Sequence, residues 1–339
     1  MEYRILAVLT IVVASGCRDD PLGAFVRIPT SEVARAISIS SNGDLLAIVT
    51  THKLIVVNPD QLSQRLEFES SAYDPCLAWV DNDELLVLSK SGTITTFDPV
   101  HLSWEDSKSN DRYTCDCSVL NDTLFFSKTA SLRFAETGCV YNQQLTKDLQ
   151  TKIYEMPMPL CGDECPWSLD LAETSDGLVR LVVSRYGKNG VGLFDLKRSS
   201  GKFEIVSQDF LITGGTRVLS ARISKYATHI AALTDETFEL HSLQNGRYET
   251  SYSLSYDGNL YDAFPLGPDG VVPLDISESG NSIVFSLGKE CRLLVKGKAG
   301  YVQFVIDRPT NAVSLSSDGR LLFAGHKREC VGYEIPVVR

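Results

Sequence analysis

Cysteine and histidine are the residue types in this chain that could support redox chemistry or metal binding, with nine cysteines and five histidines. Three residues separate Cys161 from Cys165. A thioredoxin-type motif has two and lies in a βαβ unit, so a disulfide stapling a loop is the better interpretation. His52 and His326 occupy corresponding turns of two segments that we expect to touch. Two imidazoles could share a metal, but structural zinc takes four ligands, so turn histidines are the preferred interpretation.

The remaining cysteines raise the question of disulfide pairing. Cys115 and Cys117 are two residues apart, which predicts that they share one face of a strand. Cys76 and Cys115 fall at corresponding positions before asparagine turns, so a disulfide between them is conceivable. Cys291 and Cys330 also correspond, but packed sheets lie about 10 Å apart and a disulfide needs Cα atoms within about 7 Å, so that pair is not assigned. Connectivity stays open among eight candidates: Cys76, Cys115, Cys117, Cys139, Cys161, Cys165, Cys291 and Cys330.

Composition and motifs exclude several classes of function. The chain has 339 residues and a net charge of −11. An acidic surface without a basic stripe repels phosphate backbones, so nucleic acid is not an expected partner. The sequence contains no His-Glu-x-x-His, Gly-x-Ser-x-Gly, Gly-x-Gly-x-x-Gly or Walker-type motif. We therefore expect no cofactor and assign no catalytic residue.

The first sixteen residues predict an export signal. Arg4 is the positive charge of a short n-region, and an apolar run follows from Ile5 to Ala14. This run is too short to span the hydrocarbon core of a bilayer, which needs about 20 residues. It is therefore interpreted as a signal peptide rather than as an anchor helix.

The end of that signal, Ala14-Ser15-Gly16-Cys17, is similar to the lipobox of bacterial lipoproteins. The resemblance implies that Cys17 is lipidated and becomes the first residue of the mature chain. Ordinary secretory cleavage at the same bond is the alternative. Cysteine parity favours lipidation, because nine is odd and eight can pair once Cys17 carries lipid. The expected location is extracytoplasmic, anchored to a bacterial membrane in the periplasm or at the cell surface.

A turn phrase recurs along the rest of the chain. SISSNGDLLAIV begins at Ser38 and SLSSDGRLLFAG at Ser314, and Asn-Gly and Asp-Gly supply the positive φ that hairpin turns need. Weaker copies turn at Asn82, Asn121, Asp176, near Tyr226 and at Gly280. The turns follow one another at roughly 40 to 55 residues, with further predicted strands after each, and this spacing is typical of a β-propeller.

The pattern resembles the WD-repeat superfamily. The resemblance rests on the Asn-Gly and Asp-Gly turns and on the strand endings Phe97-Asp98-Pro99 and Phe194-Asp195-Leu196, although the Gly-His and Trp-Asp pairs of the family are absent. It implies an all-β, seven-bladed propeller of four-stranded antiparallel blades. The last repeat has predicted strands at Ala312–Ser316, Leu321–Gly325 and Val331–Ile335. We expect Ala24–Ile28 to supply the fourth strand and close the ring. The predicted organisation is a signal peptide over 1–16, a tether over 17–23 and one propeller domain over 24–339.

Closure of this kind gives the two faces of the propeller different surroundings. The four strands of a blade are named a to d from the axis outward. Turns a–b and c–d lie on one face of the propeller, here called the tether face. Turns b–c and d–a lie on the other face, here called the loop face. The tether reaches only about 20 Å, so the tether face is expected towards the membrane. The long insertion Ser255–Gly270 falls on the loop face, where binding residues usually lie. An Ω-loop folded on its own aromatics is the alternative. The candidate binding residues are Tyr256, Asp257, Tyr261, Asp262, Phe264, Trp167 and Tyr186.

These features favour a non-enzymatic platform that binds an unidentified protein partner through the loop face. An exported propeller enzyme of the lactonase or quinoprotein type is an alternative, because degenerate blades could conceal a cluster of Asp, Glu and His at the channel mouth. A sugar-binding propeller is the third. A fold that hosts many functions does not decide among them.

Overall fold

The structure is a computed structural model. It describes residues 22–69, 76–80, 84–88, 94–98, 103–107, 113–120, 123–129, 138–144, 153–156, 166–185, 190–199, 202–215, 217–256 and 272–338. Within these residues, 28 strands form seven four-stranded antiparallel sheets.

Each sheet is one blade, numbered along the chain. Blade 1 contains β2 (Ala36–Ile39), β3 (Leu46–Val49), β4 (Lys53–Asn58) and β5 (Gln61–Glu69). Blade 2 contains β6 (Cys76–Val80), β7 (Glu84–Leu88), β8 (Ile94–Asp98) and β9 (Ser103–Ser107). Blade 3 contains β10 (Tyr113–Leu120), β11 (Thr123–Thr129), β12 (Gly138–Gln144) and β13 (Ile153–Met156). Blade 4 contains β14 (Pro166–Glu173), β15 (Val179–Arg185), β16 (Gly190–Ser199) and β17 (Lys202–Ile212).

The later blades follow the same order. Blade 5 contains β18 (Val218–Ile223), β19 (His229–Thr234), β20 (Thr237–Gln244) and β21 (Arg247–Ser255). Blade 6 contains β22 (Leu274–Ile276), β23 (Ser282–Ser286), β24 (Cys291–Gly297) and β25 (Gly300–Ile306). Blade 7 contains β26 (Ala312–Leu315), β27 (Leu321–Gly325) and β28 (Glu329–Glu334), with β1 (Ala24–Pro29) paired to β28.

The inner strands form a complete ring. Each packs against the inner strands of its two neighbours, in the order β2, β6, β10, β14, β18, β22, β26 and back to β2. The second strand of a blade is therefore covered on both sides by other blades. Leu46–Val49 and Ser282–Ser286 accordingly have every residue buried. The apolar core consists of layers between neighbouring blades, which is why these strands are hydrophobic throughout.

In the described residues the recurring turns of blades 1, 4, 5, 6 and 7 lie where the sequence predicts them, whereas the predicted turns at Asn82 and Asn121 lie outside the described residues. Gly43, Gly177, Gly280 and Gly319 have φ of 82°, 77°, 73° and 70°. In the corresponding turn of blade 5 the residue with positive φ is Ala227, at 53°, one position after Tyr226. Glycine is required most strongly at Gly280, because a Cβ there would lie 2.4 Å from Nδ1 of His229.

The way the ring closes corrects the expectation from sequence. The outer strand of blade 7 is Ala24–Pro29 rather than Ala24–Ile28, and its partner is Glu329–Glu334 rather than Val331–Ile335. This N-terminal strand completes its own sheet, and its Val26 and Ile28 also lie in the core shared with blade 1. The ring closes where β2 packs against β26, over a core that contains Ile37, Ile39 and Ala312. Buried apolar packing, not edge pairing alone, therefore joins the two ends of the chain.

All strands of the described chain lie between Ala24 and Glu334. The core clusters draw on residues no earlier than Leu22.

Candidate functional site

The inner strands bring four charged side chains together around the propeller axis. Asp116 lies on β10, Asp170 on β14, Arg222 on β18 and Asp275 on β22. We call these four residues the axial cluster. The charges of all three aspartates act on Arg222. The cluster spans blades 3 to 6 and contains three carboxylates for one guanidinium.

Asp116 and Arg222 form an ion pair that is nearly closed to solvent. The distance from Nη1 of Arg222 to Oδ2 of Asp116 is 2.8 Å, and the two side chains are 19% and 7% exposed. Oδ1 of Asp116 accepts a hydrogen bond from N–H of Cys117 at 2.9 Å, and Oδ2 accepts one from N–H of Leu169 at 3.0 Å. Asp116 thus binds its own strand, the next blade and Arg222.

Asp170 and Asp275 repeat this arrangement in the following blades. Asp170 accepts hydrogen bonds from N–H of Leu171 at 2.9 Å and N–H of Ile223 at 3.0 Å. Asp275 accepts them from N–H of Ile276 at 2.8 Å and N–H of Leu315 at 2.7 Å. In each case one oxygen binds the residue that follows the aspartate and the other binds the inner strand of the next blade.

Two serines make equivalent links, one at the junction that Asp170 also joins and one between blades 7 and 1. Oγ of Ser168 accepts from N–H of Ala221 at 2.8 Å, which joins blade 4 to blade 5. Oγ of Ser314 accepts from N–H of Ile39 at 3.3 Å, which joins blade 7 to blade 1. The shared chemistry is a short side-chain acceptor that satisfies a backbone donor of the neighbouring blade. Buried donors of this kind are costly when unpaired.

Burial governs the electrostatics of the axial cluster. It raises the pKa of the Asp275 carboxyl to about 6, against hydrogen bonds from Leu315 and Ile276 and the charge of Arg222 that act to lower it. Burial also raises the pKa of Asp170, although Arg222 partly offsets this effect. For Arg222, burial alone would lower the pKa, but the charges of Asp116 and Asp170 outweigh it and raise the pKa. The three carboxyl groups outnumber the one guanidinium, and burial favours the protonated form of Asp170 and Asp275.

The sequence analysis missed the axial cluster, although a signal was present. Asp170, Arg222 and Asp275 each stand between apolar residues on a strand that leads into a recurring turn, in LDL, ARI and LDI. A charged residue at such a position is unusual for a buried strand. Its recurrence in three successive repeats was the observation that could have identified the cluster.

A second buried pair lies in the third strand of blade 5. Oε2 of Glu239 is 3.2 Å from Nε2 of His241, and Oε1 of Glu239 accepts a 2.7 Å hydrogen bond from N–H of Gly214. Burial acts to raise the pKa of Glu239, but the interaction with the His241 ring and the hydrogen bond from N–H of Gly214 outweigh it and lower the pKa. Because Gly214 lies in the connection from blade 4, the pair fastens that connection to blade 5.

The two histidines considered for a shared metal have separate roles. His52 is 64% exposed, with Nδ1 2.8 Å from Oε1 of Glu32. His326 is buried, and its Nδ1 lies 2.9 Å from the carbonyl oxygen of Pro309. Across the described ranges, no group of three or more His, Cys, Asp or Glu side chains could hold a metal ion.

One disulfide joins two neighbouring inner strands. Cys76 of β6 is bonded to Cys117 of β10, with Cα atoms 5.9 Å apart. The link between adjacent inner strands agrees with the sequence analysis, but the expected partner, Cys115, was wrong. The register of β10 against β11 shifts between Thr114 and Cys117, and this breaks the correspondence of positions on which the expectation relied.

The other candidate cysteines differ in how far the structure describes them, and Cys115 lies in β10 with its side chain outside the described part of the chain. Cys291 and Cys330 are buried free thiols, and burial raises the pKa of both, so they remain protonated and unreactive. Cys139 lies in β12 with its side chain outside the described part of the chain. Cys17, Cys161 and Cys165 lie outside the described residues.

Tyr256 is the candidate binding residue whose side chain the structure describes. It packs against the core between blades 5 and 6. Its hydroxyl donates to the carbonyl oxygen of Thr234 and lies 3.1 Å from that of Thr237. Its role is therefore to anchor the chain at the start of the insertion. The side chain of Trp167 and all of Asp257, Tyr261, Asp262, Phe264 and Tyr186 lie outside the described residues.

Comparison with solved structures identifies the architecture. The Myceliophteria thermophila Cps50 (Swd1) β-propeller domain is similar to this chain with a TM-score of 0.70 at 11% identity, covering 93% of this chain and 100% of that one. A chain in the crystal structure of a Mitotic Checkpoint Complex has a TM-score of 0.67 at 14% identity, covering 99% and 100%. The fold is a WD-repeat-like β-propeller. At sequence identities this low, the similarity to these two structures shows only that the folds are alike.

Comparisons at the level of sequence add no family. No family model matches the chain, and no curated protein matches it. The described part of this WD-repeat-like propeller contains no helix that is long and apolar enough to span a membrane.

Proposed function

We propose that this chain is an exported, lipid-anchored propeller that acts as a non-enzymatic platform for a protein partner. Its signal and Cys17 would place it on the exported side of a bacterial membrane, in the periplasm or at the cell surface. Its loop face would hold the partner.

The observation that carries this proposal is the use made of the axial carboxylates. An enzyme at a propeller axis needs side chains free to bind metal or substrate. Here each of Asp116, Asp170 and Asp275 has both oxygens bound to backbone N–H groups of two blades. Releasing them would leave buried donors unpaired, at a cost of about 1 to 3 kcal/mol each. The axis therefore serves to join blades.

The fold gives the proposal further support. A rigid ring with variable connections on one face presents binding residues without exposing sheet edges between blades. The similar chain in the Mitotic Checkpoint Complex belongs to an assembly. This chain shares the fold of that protein, and a platform role is therefore supported by analogy of architecture alone.

The loop over 257–271 is the proposed contact. Tyr256 fixes its first end, because N–H of Tyr256 donates a 3.3 Å hydrogen bond to the carbonyl oxygen of Glu236 and the ring is packed in the core. The loop therefore starts from a defined position on the loop face. Its aromatic and acidic residues, Asp257, Tyr261, Asp262 and Phe264, suit a protein interface.

Crosslinking in native membranes tests the platform. The protein is recovered through a C-terminal tag and its crosslinked partners are identified by mass spectrometry. Replacing residues 257–271 by a short Gly-Ser segment, with Tyr256 retained, should abolish the principal crosslink. A matched control replaces the exposed Asp60, Gln61 and Leu62 with alanine on the tether face of blade 1 and should preserve it.

The anchor is tested separately by Cys17→Ala. Lipid attachment, followed by mass spectrometry of the N-terminal peptide, should disappear, and the protein should leave the membrane fraction. An unmodified Cys17 in the wild-type protein would refute the anchor. An unchanged crosslink after loop replacement would refute the assignment of the loop face.

A further inference from the structure

The c–d hairpins of blades 4, 5 and 6 extend past the start of strand b, the second strand of each blade, on the tether face. In blade 4, strand b begins at Val179, opposite Leu196, so Lys197 to Ser199 lie beyond it. In blade 5, strand b begins at His229, opposite Ser242, so the hairpin continues through Leu243 and Gln244. Blade 6 has the same extension, because Ser282 is opposite Val295 and the hairpin continues to Gly297.

These extensions are basic in a chain whose net charge is −11. Five exposed cations lie on them, and we call this set the basic rim: Lys197, Arg198, Arg247, Lys296 and Lys298. The acidic residue on the same extensions is Glu204, opposite Lys197. The a–b turns, which lie nearer the axis, contain acidic residues such as Glu278, but its carboxylate is 2.7 Å from Nζ of Lys225. Positive charge therefore lies at the outer edge of the tether face in blades 4, 5 and 6.

The chain that leads to Cys17 leaves beside this rim. Leu22 packs against the cluster that contains Val295 and Ile335. Gly297, at the tip of the blade 6 hairpin, lies close to Val338, since a Cβ on this glycine would be 2.6 Å from Cγ1 of that valine. Val337, which precedes Val338 in the chain, is 85% exposed. Lys296 and Lys298 thus flank the point at which the tether enters the propeller.

We propose that the basic rim docks on anionic phospholipid headgroups and holds the tether face against the membrane. This inference rests on the proposed membrane anchor and specifies the surface that accompanies it. Each lysine or arginine near an anionic bilayer adds about 1 kcal/mol of attraction, which falls off within a Debye length. A basic surface is the second signal that makes membrane attachment by an acyl chain stable. The loop face then points away from the bilayer, towards its partner.

Vesicle flotation of a chain beginning at Arg18 tests this surface without lipid. Such a chain retains all the described strands. It should float with vesicles of phosphatidylglycerol and phosphatidylcholine but not with phosphatidylcholine alone, and added salt should weaken the binding. The Lys296→Glu/Lys298→Glu variant should lower the partition coefficient at least about tenfold, since two attractions of about 1 kcal/mol become repulsions.

The matched control is Lys289→Glu/Lys327→Glu. It changes the net charge equally, and both exposed lysines lie in b–c turns on the loop face. This variant should float like the wild-type chain. Equal loss in both variants would show that only net charge matters and would overturn the proposal, as would failure of the wild-type chain to bind anionic vesicles.

This experiment separates the rim from the anchor. Lipidation of Cys17 is measured on the complete chain, whereas flotation uses a chain that cannot be lipidated. If Cys17 is lipidated but the chain that begins at Arg18 does not bind anionic vesicles, the proposed anchor stands and the proposed role of the basic rim is refuted. If that chain binds anionic vesicles but Cys17 of the complete chain carries no lipid, only the proposed anchor is refuted.

Discussion

Nη1 of Arg222 in blade 5 lies 2.8 Å from Oδ2 of Asp116 in blade 3, although 106 residues separate them in the chain. The pair spans blade 4, whose Leu169 provides both a donor to Asp116 and a carbonyl acceptor to Arg222. Three consecutive inner strands are thereby connected at one place. The axial cluster therefore fixes the positions of blades that do not share a sheet.

Removing Arg222 should strongly destabilise the propeller. Arg222→Met leaves Asp116 buried without its countercharge, and breaking a buried pair costs about 3 to 5 kcal/mol. The free energy of unfolding in urea measures the effect. Arg320→Met is the matched control, because this arginine is 81% exposed and 3.6 Å from Asp318, so its loss should cost less than about 1 kcal/mol. Equal losses would contradict the role assigned to the cluster.

Asp275 should make stability decrease as pH rises from about 4 to 6. Burial raises its folded-state pKa to about 6, above the unfolded value, so the folded protein holds the extra proton across this window. The contribution is fully present below the unfolded pKa and is lost as pH rises through the folded pKa. Unfolding free energies of the wild type and of Asp275→Asn are compared across this window. The difference between wild type and variant should shrink or reverse as pH rises, whereas parallel curves would refute a raised pKa.

Loss of the disulfide between Cys76 and Cys117 should lower stability by about 4 kcal/mol, from the chain entropy of the loop it closes. The sequence separation is 41. Thermal or urea unfolding of Cys117→Ser, with and without reductant, measures this, and the reductant should destabilise the wild type more than the variant. Cys115→Ser is the matched control and should keep the Cys76–Cys117 crosslink in peptides mapped without reduction. A Cys76–Cys115 peptide in the wild type would contradict the assignment.

Gly280→Ala should be more damaging than Gly43→Ala. Both glycines have positive φ, and this alone makes alanine unfavourable by about 1 kcal/mol. A Cβ at Gly280 would also meet the His229 ring at 2.4 Å, whereas nothing lies within 4 Å of one at Gly43. Urea midpoints of the two variants decide the matter. Indistinguishable midpoints would mean that His229 moves aside freely.

The repeated turns and strands could be predicted from sequence because their causes are local. Asn42-Gly43 and Asp318-Gly319 specify positive φ within a few residues, and period-two alternation specifies strands. These signals are read without knowing any distant contact. They sufficed for an all-β propeller with a WD-like repeat. The identity of Cys17 as a lipidation site is likewise a prediction from local sequence.

The structure alone decided the contacts that depend on register and on distant strands. The disulfide partner of Cys76 is Cys117 rather than Cys115, and the register of β10 shifts between Thr114 and Cys117. No pattern in the sequence predicts this bulge. Tyr256 belongs to an aromatic insertion in the sequence, yet its ring lies in the core. Arg222 and Asp116 meet only because blades 3, 4 and 5 converge at the axis. Sequence determines which local elements form, whereas convergence of seven sheets on one axis determines which of their side chains meet.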